Sequence, residues 1–170
     1  MIEYDSFSAW LAMYNSPILT DISLFIDMFI YPLLFIFLLY LFFIKKDKKR
    51  ALVIGVTYII LILIIPALKF AFSEERPCSA PWKISCPTDN ALPSGHTAAA
   101  AVFVIAYLTT PAFPFALLTY VIVSLSRIYL GVHVFKDILA GTVIAFSVFL
   151  IVERLCRKKL GAYFKKSDKK

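Results

Sequence analysis

The sequence predicts an all-α fold: an integral membrane helical bundle of about five transmembrane helices plus an N-terminal interfacial helix. Three observations carry that expectation. Of 170 residues, 61% are hydrophobic and only 17% charged, with a mean hydropathy of +0.81. A water-soluble globule of this length cannot hide that much apolar surface, because surface area falls too slowly with chain size. The apolar residues gather in long runs, and the charges sit between them with a strong sign asymmetry. Disorder is excluded by the aromatic content of 16%, and a disulfide-dense secreted module by a total of three cysteines. The length suits one domain, residues 1–170.

The first 16 residues lack the basic start and apolar core of a signal peptide. Phe7, Trp10, Leu11 and Tyr14 recur at helical spacing, with Asp5 or Ser6 available as a cap and Asn15-Ser16-Pro17 as a stop. A stripe bearing Trp and Tyr suggests a helix lying in the membrane interface. Packing against the other helices is the equal alternative. Apolar stretches then run from Ile22 to Ile44, Ala51 to Leu68, Thr97 to Thr110, Pro114 to Leu130 and Phe135 to Val152. Several fall short of the roughly 20 residues an untilted span needs, so their ends should extend into flanking positions.

Charge orients these spans. Met1 to Asp27 carries Glu3, Asp5, Asp21 and Asp27 and no base, whereas Lys45 to Arg50 and Arg154 to Lys170 are strongly basic. Both basic blocks adjoin apolar runs, which favours a topological role in the cytoplasm over nucleic-acid binding. The N-terminus, the loop 69–93 and the turn 130–135 are then expected outside, in the periplasm or its equivalent, and the C-terminus inside. Cys78 and Cys86 share that outer loop, where an oxidising compartment would let them form a disulfide, free thiols being the alternative. No second Cys or His pair accompanies them to make a zinc site.

Charged groups at the ends of apolar spans are costly and point to function. Lys69 closes the second stretch and Arg76-Pro77 follows; Pro93-Ser94-Gly95-His96 opens the third; Ser126-Arg127, His133 and Asp137 straddle the last turn. Singly, each has a plain reading. Lys69 reads as a snorkelling lysine, Ser94 as a helix cap, and His133 with Asp137 as a pair on one helix face. Glu74, Glu75 and Asp89 read as acids of a solvated loop.

Together the three groups describe a phosphate site. Lys69, Arg76 and Arg127 supply cations suited to phosphate oxygens. Ser94, Gly95 and His96 sit at a helix N-terminus, where free amides and the dipole favour an anion, and Gly95 permits close backbone approach. Asp137 can hold one nitrogen of His133 and leave the other free to attack phosphorus. His96 can protonate the leaving oxygen. These are the chain's two histidines.

In order, spacing and identity, the three groups resemble the signatures of the type 2 phosphatidic acid phosphatase superfamily, with a motif core spanning 69–137. The resemblance implies a membrane lipid phosphatase with His133 as the residue forming a phosphohistidine, Asp137 orienting it and His96 as acid. Lys69, Arg76, Ser94, Gly95 and Arg127 match phosphate-holding positions. It implies no metal and no cofactor, and the outer loop offers no carboxylate cluster for Mg²⁺. The implied partners are a phosphorylated membrane lipid and the bilayer. Polyprenyl diphosphate is favoured over phosphatidylglycerophosphate, phosphatidic acid and lipid A 1-phosphate, with head-group contacts expected from Trp82 and Lys83. The alternatives are a non-catalytic lipid-binding or lipid-moving protein and a vanadate-binding protein like the haloperoxidases.

Overall fold

The computed structural model describes residues 5–78 and 83–167, with side chains through 159. Trp82 and the last basic residues lie outside the described residues. Six helices follow in order: α1 Ser6–Met13, α2 Pro17–Leu39 continued by a π-helical turn Tyr40–Ile44, α3 Lys48–Phe72, α4 Gly95–Tyr107, α5 Phe113–Tyr129 and α6 Phe135–Ser167. Each apolar stretch of the sequence becomes one helix. Among the described residues α2 with its π turn, α3 and α6 are long and apolar enough to cross a membrane. At 13 and 17 residues, α4 and α5 are shorter.

Local chemistry sets the helix ends. Asp5 caps α1 by accepting the Ser8 amide at 2.8 Å, and Pro17 opens α2, where its missing N–H costs nothing. Asp47 caps α3 through the Arg50 amide. Arg50 then places its guanidinium 4.7 Å from the Tyr107 ring, tying the start of α3 to the end of α4.

Apolar residues cover the outside of the bundle as well as filling its core. Large apolar side chains such as Met28, Phe35, Ile62, Leu63, Phe70 and Phe115 are exposed along the bundle. Thr57, Lys69, Ser94, Thr97, Arg127, His133 and Asp137 are instead buried. Apolar residues such as Ile54, Val102 and Ala145 still fill the core between the helices, and an apolar exterior with the polar groups confined inside is what a hydrocarbon solvent selects. At the centre, Ala98–Ala101 of α4 are fully enclosed, small residues that let neighbouring helices approach closely. Gly141 of α6 shows how close: a Cβ there would stand 2.5 Å from the Ser94 carbonyl oxygen.

The connections put the C-termini of α3 and α5 and the N-termini of α4 and α6 at one end of the bundle. The basic segment Lys45–Arg50 lies at the other. Lys83 anchors the loop after α3 by donating to the carbonyls of Ala12 and Tyr129. A disulfide joins Cys78 and Cys86 in the same loop.

Candidate active site

At that end a cavity of about 1060 Å³ opens between α2 and α3. Lys69, Arg76, Gly95, His96, Arg127 and His133 line its polar end. Ser94 and Asp137 are fully buried behind that lining. All eight positions singled out in the sequence therefore meet, six on the cavity wall and two supporting it.

His133 sits in the short connection between α5 and α6, with 2% exposure. Four residues later, the first turn of α6 brings Asp137 Oδ2 to 3.1 Å from His133 Nδ1, the reach expected of an i, i+4 pair. A carboxylate oxygen can only accept, so Nδ1 is the protonated nitrogen that donates to Asp137 Oδ2, and Nε2 carries the lone pair. Nε2 stands 3.2 Å from Arg76 Nη1, which also donates to the Val132 carbonyl at 3.1 Å. Burial, then the charges of Arg76, Arg127 and Lys69, push the imidazole of His133 well below its ordinary value. At neutral pH it is uncharged.

His96 occupies the first turn of α4 opposite. Its Nε2 lies 3.2 Å from the Asp27 carbonyl and 3.5 Å from Asp27 Oδ1, and its Nδ1 lies 3.5 Å from the Tyr31 hydroxyl. Asp27 also pairs with Arg127. The cavity thus gains from α2 two residues the sequence reading did not single out, Asp27 and Tyr31. Their signal was an acid inside an apolar helix, a placement that is expensive unless partnered.

Three plain readings are corrected here. Lys69 does not snorkel: its Nζ is buried and donates to Asp89 Oδ2 at 2.6 Å and to the Asn90 carbonyl at 2.7 Å. Asp89 is no idle loop acid. It also receives Arg76 Nη2 at 2.7 Å, and although burial pushes its carboxyl up, those two cations outweigh it and hold it at about 2. Glu74 pairs with Lys136. Ser94 stands at the N-cap position of α4 without a side-chain cap bond to the backbone. Its hydroxyl donates to Thr97 Oγ1 at 3.1 Å, and its amide donates to the Asp137 carbonyl at 3.1 Å. Gly95 spares a different approach from the one expected: a Cβ there would meet the Tyr31 hydroxyl at 3.2 Å.

Beyond the polar end the cavity becomes an apolar groove. Leu34, Phe35 and Leu38 of α2 face Tyr58, Ile62 and Ile65 of α3, with Gly55 at its far end. From Lys69 back to Gly55 the groove follows α3 for about 20 Å at the helical rise per residue.

Known proteins resemble this chain in sequence and in fold. The chain is 30% identical over 104 residues to an undecaprenyl-diphosphatase of Sulfolobus acidocaldarius, a match covering 57% of this chain and 50% of that protein. It therefore spans about half the length of that curated relative. Its fold matches the crystal structure of a transmembrane PAP2 type phosphatidylglycerolphosphate phosphatase from Bacillus subtilis with a TM-score of 0.72 at 24% identity, covering 91% of this chain and 84% of that one. It matches Aquifex aeolicus LpxE with a TM-score of 0.73 at 20% identity, covering 91% and 96%. Residues 50–160, which include everything from Lys69 to Asp137, match the PAP2 superfamily, and the chain belongs to that superfamily.

Proposed function

We propose that this protein is a metal-independent lipid phosphatase of the membrane that works through a phosphohistidine intermediate. The observation that carries the reading is His133, held by Asp137 at Nδ1, with Nε2 beside Arg76 at a cavity lined by three cations and a second histidine. Arg76 stands beside the attacking nitrogen, so a phosphate held by its guanidinium lies within reach of Nε2. In the first step Nε2 bonds to phosphorus, the bond from phosphorus to the lipid oxygen breaks, and that oxygen takes a proton from His96, which enters the step as the imidazolium beside Asp27 and leaves it as the neutral imidazole. In the second, water attacks the phosphohistidine, His96 takes a proton from the water, and phosphate leaves.

A lipid substrate is supported by the groove between α2 and α3. Its polar end suits a phosphate and its apolar length suits a hydrocarbon chain entering from the bilayer. The undecaprenyl-diphosphatase relative adds support for a polyprenyl diphosphate. The basic segment Lys45–Arg50 lies at the opposite end of the bundle from the site. With that segment in the cytoplasm and the shorter α4 and α5 crossing along with α2, α3 and α6, the site faces outside.

The test is phosphate release by the detergent-solubilised protein from polyprenyl diphosphate, phosphatidylglycerophosphate, phosphatidic acid and lipid A 1-phosphate. We expect turnover of at least one, fastest for the polyprenyl diphosphate, inhibited by vanadate and indifferent to EDTA. No release from any of them would favour a binding or lipid-moving role. Inhibition by EDTA that Mg²⁺ reverses would overturn the metal-independent mechanism.

A further inference from the structure

The turn that carries His133 is held from outside by the N-terminal helix. α6 begins without a capping side chain of its own, because the residues before it, Val132, His133 and Val134, offer no side-chain oxygen. Asp137 supplies one half of a cap: its Oδ2 accepts the Val134 amide at 3.1 Å, as the acidic partner of a capping box does. The other half comes from a residue far away in sequence. The Phe135 amide donates to Ser8 Oγ at 3.0 Å and to Asp5 Oδ2 at 3.3 Å. Ser8 Oγ in turn donates to Asp5 Oδ2 at 2.6 Å, and Ser8 is fully buried. Consecutive amides of the turn are thus held by the carboxylate that orients His133 and by α1.

The same helix region grips the other end of the turn. The Tyr129 hydroxyl accepts the Ser16 amide at 3.0 Å and donates to the Ser16 carbonyl at 2.9 Å. Lys83 bridges the carbonyls of Ala12 and Tyr129. Meanwhile Phe7, Trp10 and Tyr14 of the apolar stripe face outward. α1 adds little to the core. Its inward contacts, the polar pair Asp5 and Ser8 and the apolar Leu11 packed on Tyr129, Leu130 and Val132, fall on the turn.

We propose that Asp5 and Ser8 are positioning residues for His133: a cap supplied in trans by α1 that fixes the Val134–Phe135 backbone and, through it, the aim of the His133–Asp137 pair into the cavity. This role rests on the reading of His133 as nucleophile. A small misalignment of a reacting group is costly in rate while leaving the phosphate-holding cations in place, so the effect should fall on kcat.

Two measurements on the full-length protein in detergent test it: steady-state kinetics on a lipid phosphate, and amide hydrogen exchange in a peptide covering 131–137. Ser8→Ala and Asp5→Leu should speed exchange in that peptide and lower kcat on the order of 10- to 100-fold, with KM unchanged. Asp5→Asn, which keeps an acceptor at the exposed Asp5 position, should restore most of kcat. Unaltered exchange in both Ser8→Ala and Asp5→Leu would overturn the cap. Faster exchange with full kcat would overturn the positioning role, and so would exchange that rises equally in every helix. If His133→Ala keeps full activity while the exchange still responds, the nucleophile reading fails and the cap stands without a catalytic role.

Discussion

The two histidines face one cavity but are held in different ways. His133 is 2% exposed, and both its ring nitrogens have a partner within 3.2 Å, one of them only four residues away. His96 is looser, with contacts of 3.2 to 3.5 Å that all come from α2, across 65 and 69 residues of sequence. The His133 side is built locally and closed. The His96 side is assembled by tertiary packing and opens to the groove. Such an arrangement suits the chemistry proposed, because the attacking nitrogen meets the same phosphorus in every substrate, whereas the acid must follow whatever oxygen departs.

The comparison can be broken by mutation, and the largest effect should come from His133→Ala. It should abolish turnover of both a lipid phosphate and p-nitrophenyl phosphate, since no other group replaces the bond to phosphorus; measurable turnover of either ester would assign the nucleophile elsewhere. His96→Ala should cost on the order of 10²–10⁴-fold on the lipid phosphate, whose alkoxide needs a proton. The loss on p-nitrophenyl phosphate, whose leaving group departs unprotonated, should be much smaller. Equal losses would make His96 a phosphate-binding residue.

A smaller change should follow from Asp27→Asn, which leaves Arg127 without its charged partner and loosens His96. Hydrogen bonds to charged groups are worth about 1.5–3 kcal/mol, so a loss of roughly 10- to 100-fold is expected on the lipid phosphate, and less on the aryl ester. If both substrates suffer alike, Asp27 serves the phosphate cations and not the acid.

The mildest probe is pH. Because burial and the neighbouring cations keep His133 neutral, its protonation occurs only well below the ordinary histidine value. As pH falls through 6.5, kcat/KM for p-nitrophenyl phosphate, corrected for the ester's own ionisation, should stay level. The decline should begin only at lower pH. A fall centred on 6.5 would mean that the nucleophile is solvated, contrary to its burial.

Much of this site could be read without coordinates, for a physical reason. A charge at the end of an apolar run stands out against its surroundings, and His133 with Asp137 announces its geometry through helical spacing alone. Asp27 was visible as an acid within an apolar stretch, yet its partner Arg127 is 100 residues away, and nothing local selects between candidate cations. Asp89 looked like a solvated loop acid for the same reason. Its role depends on how the loop folds back over Lys69 and Arg76.

The sequence by itself determined where the apolar helices run and which charged and polar residues are candidates for the chemistry. Those properties follow from hydropathy, period and short-range spacing, which act within a few residues of chain. Only the tertiary structure decided which face of each helix meets which neighbour. That choice placed Asp27 and Tyr31 of α2 against His96, pressed Gly141 onto the Ser94 backbone, opened the groove between α2 and α3, and turned the polar side of α1 onto the catalytic turn. Each depends on contacts between residues far apart in the chain, where the outcome is fixed by the close packing of whole helices and the need to partner every buried polar group.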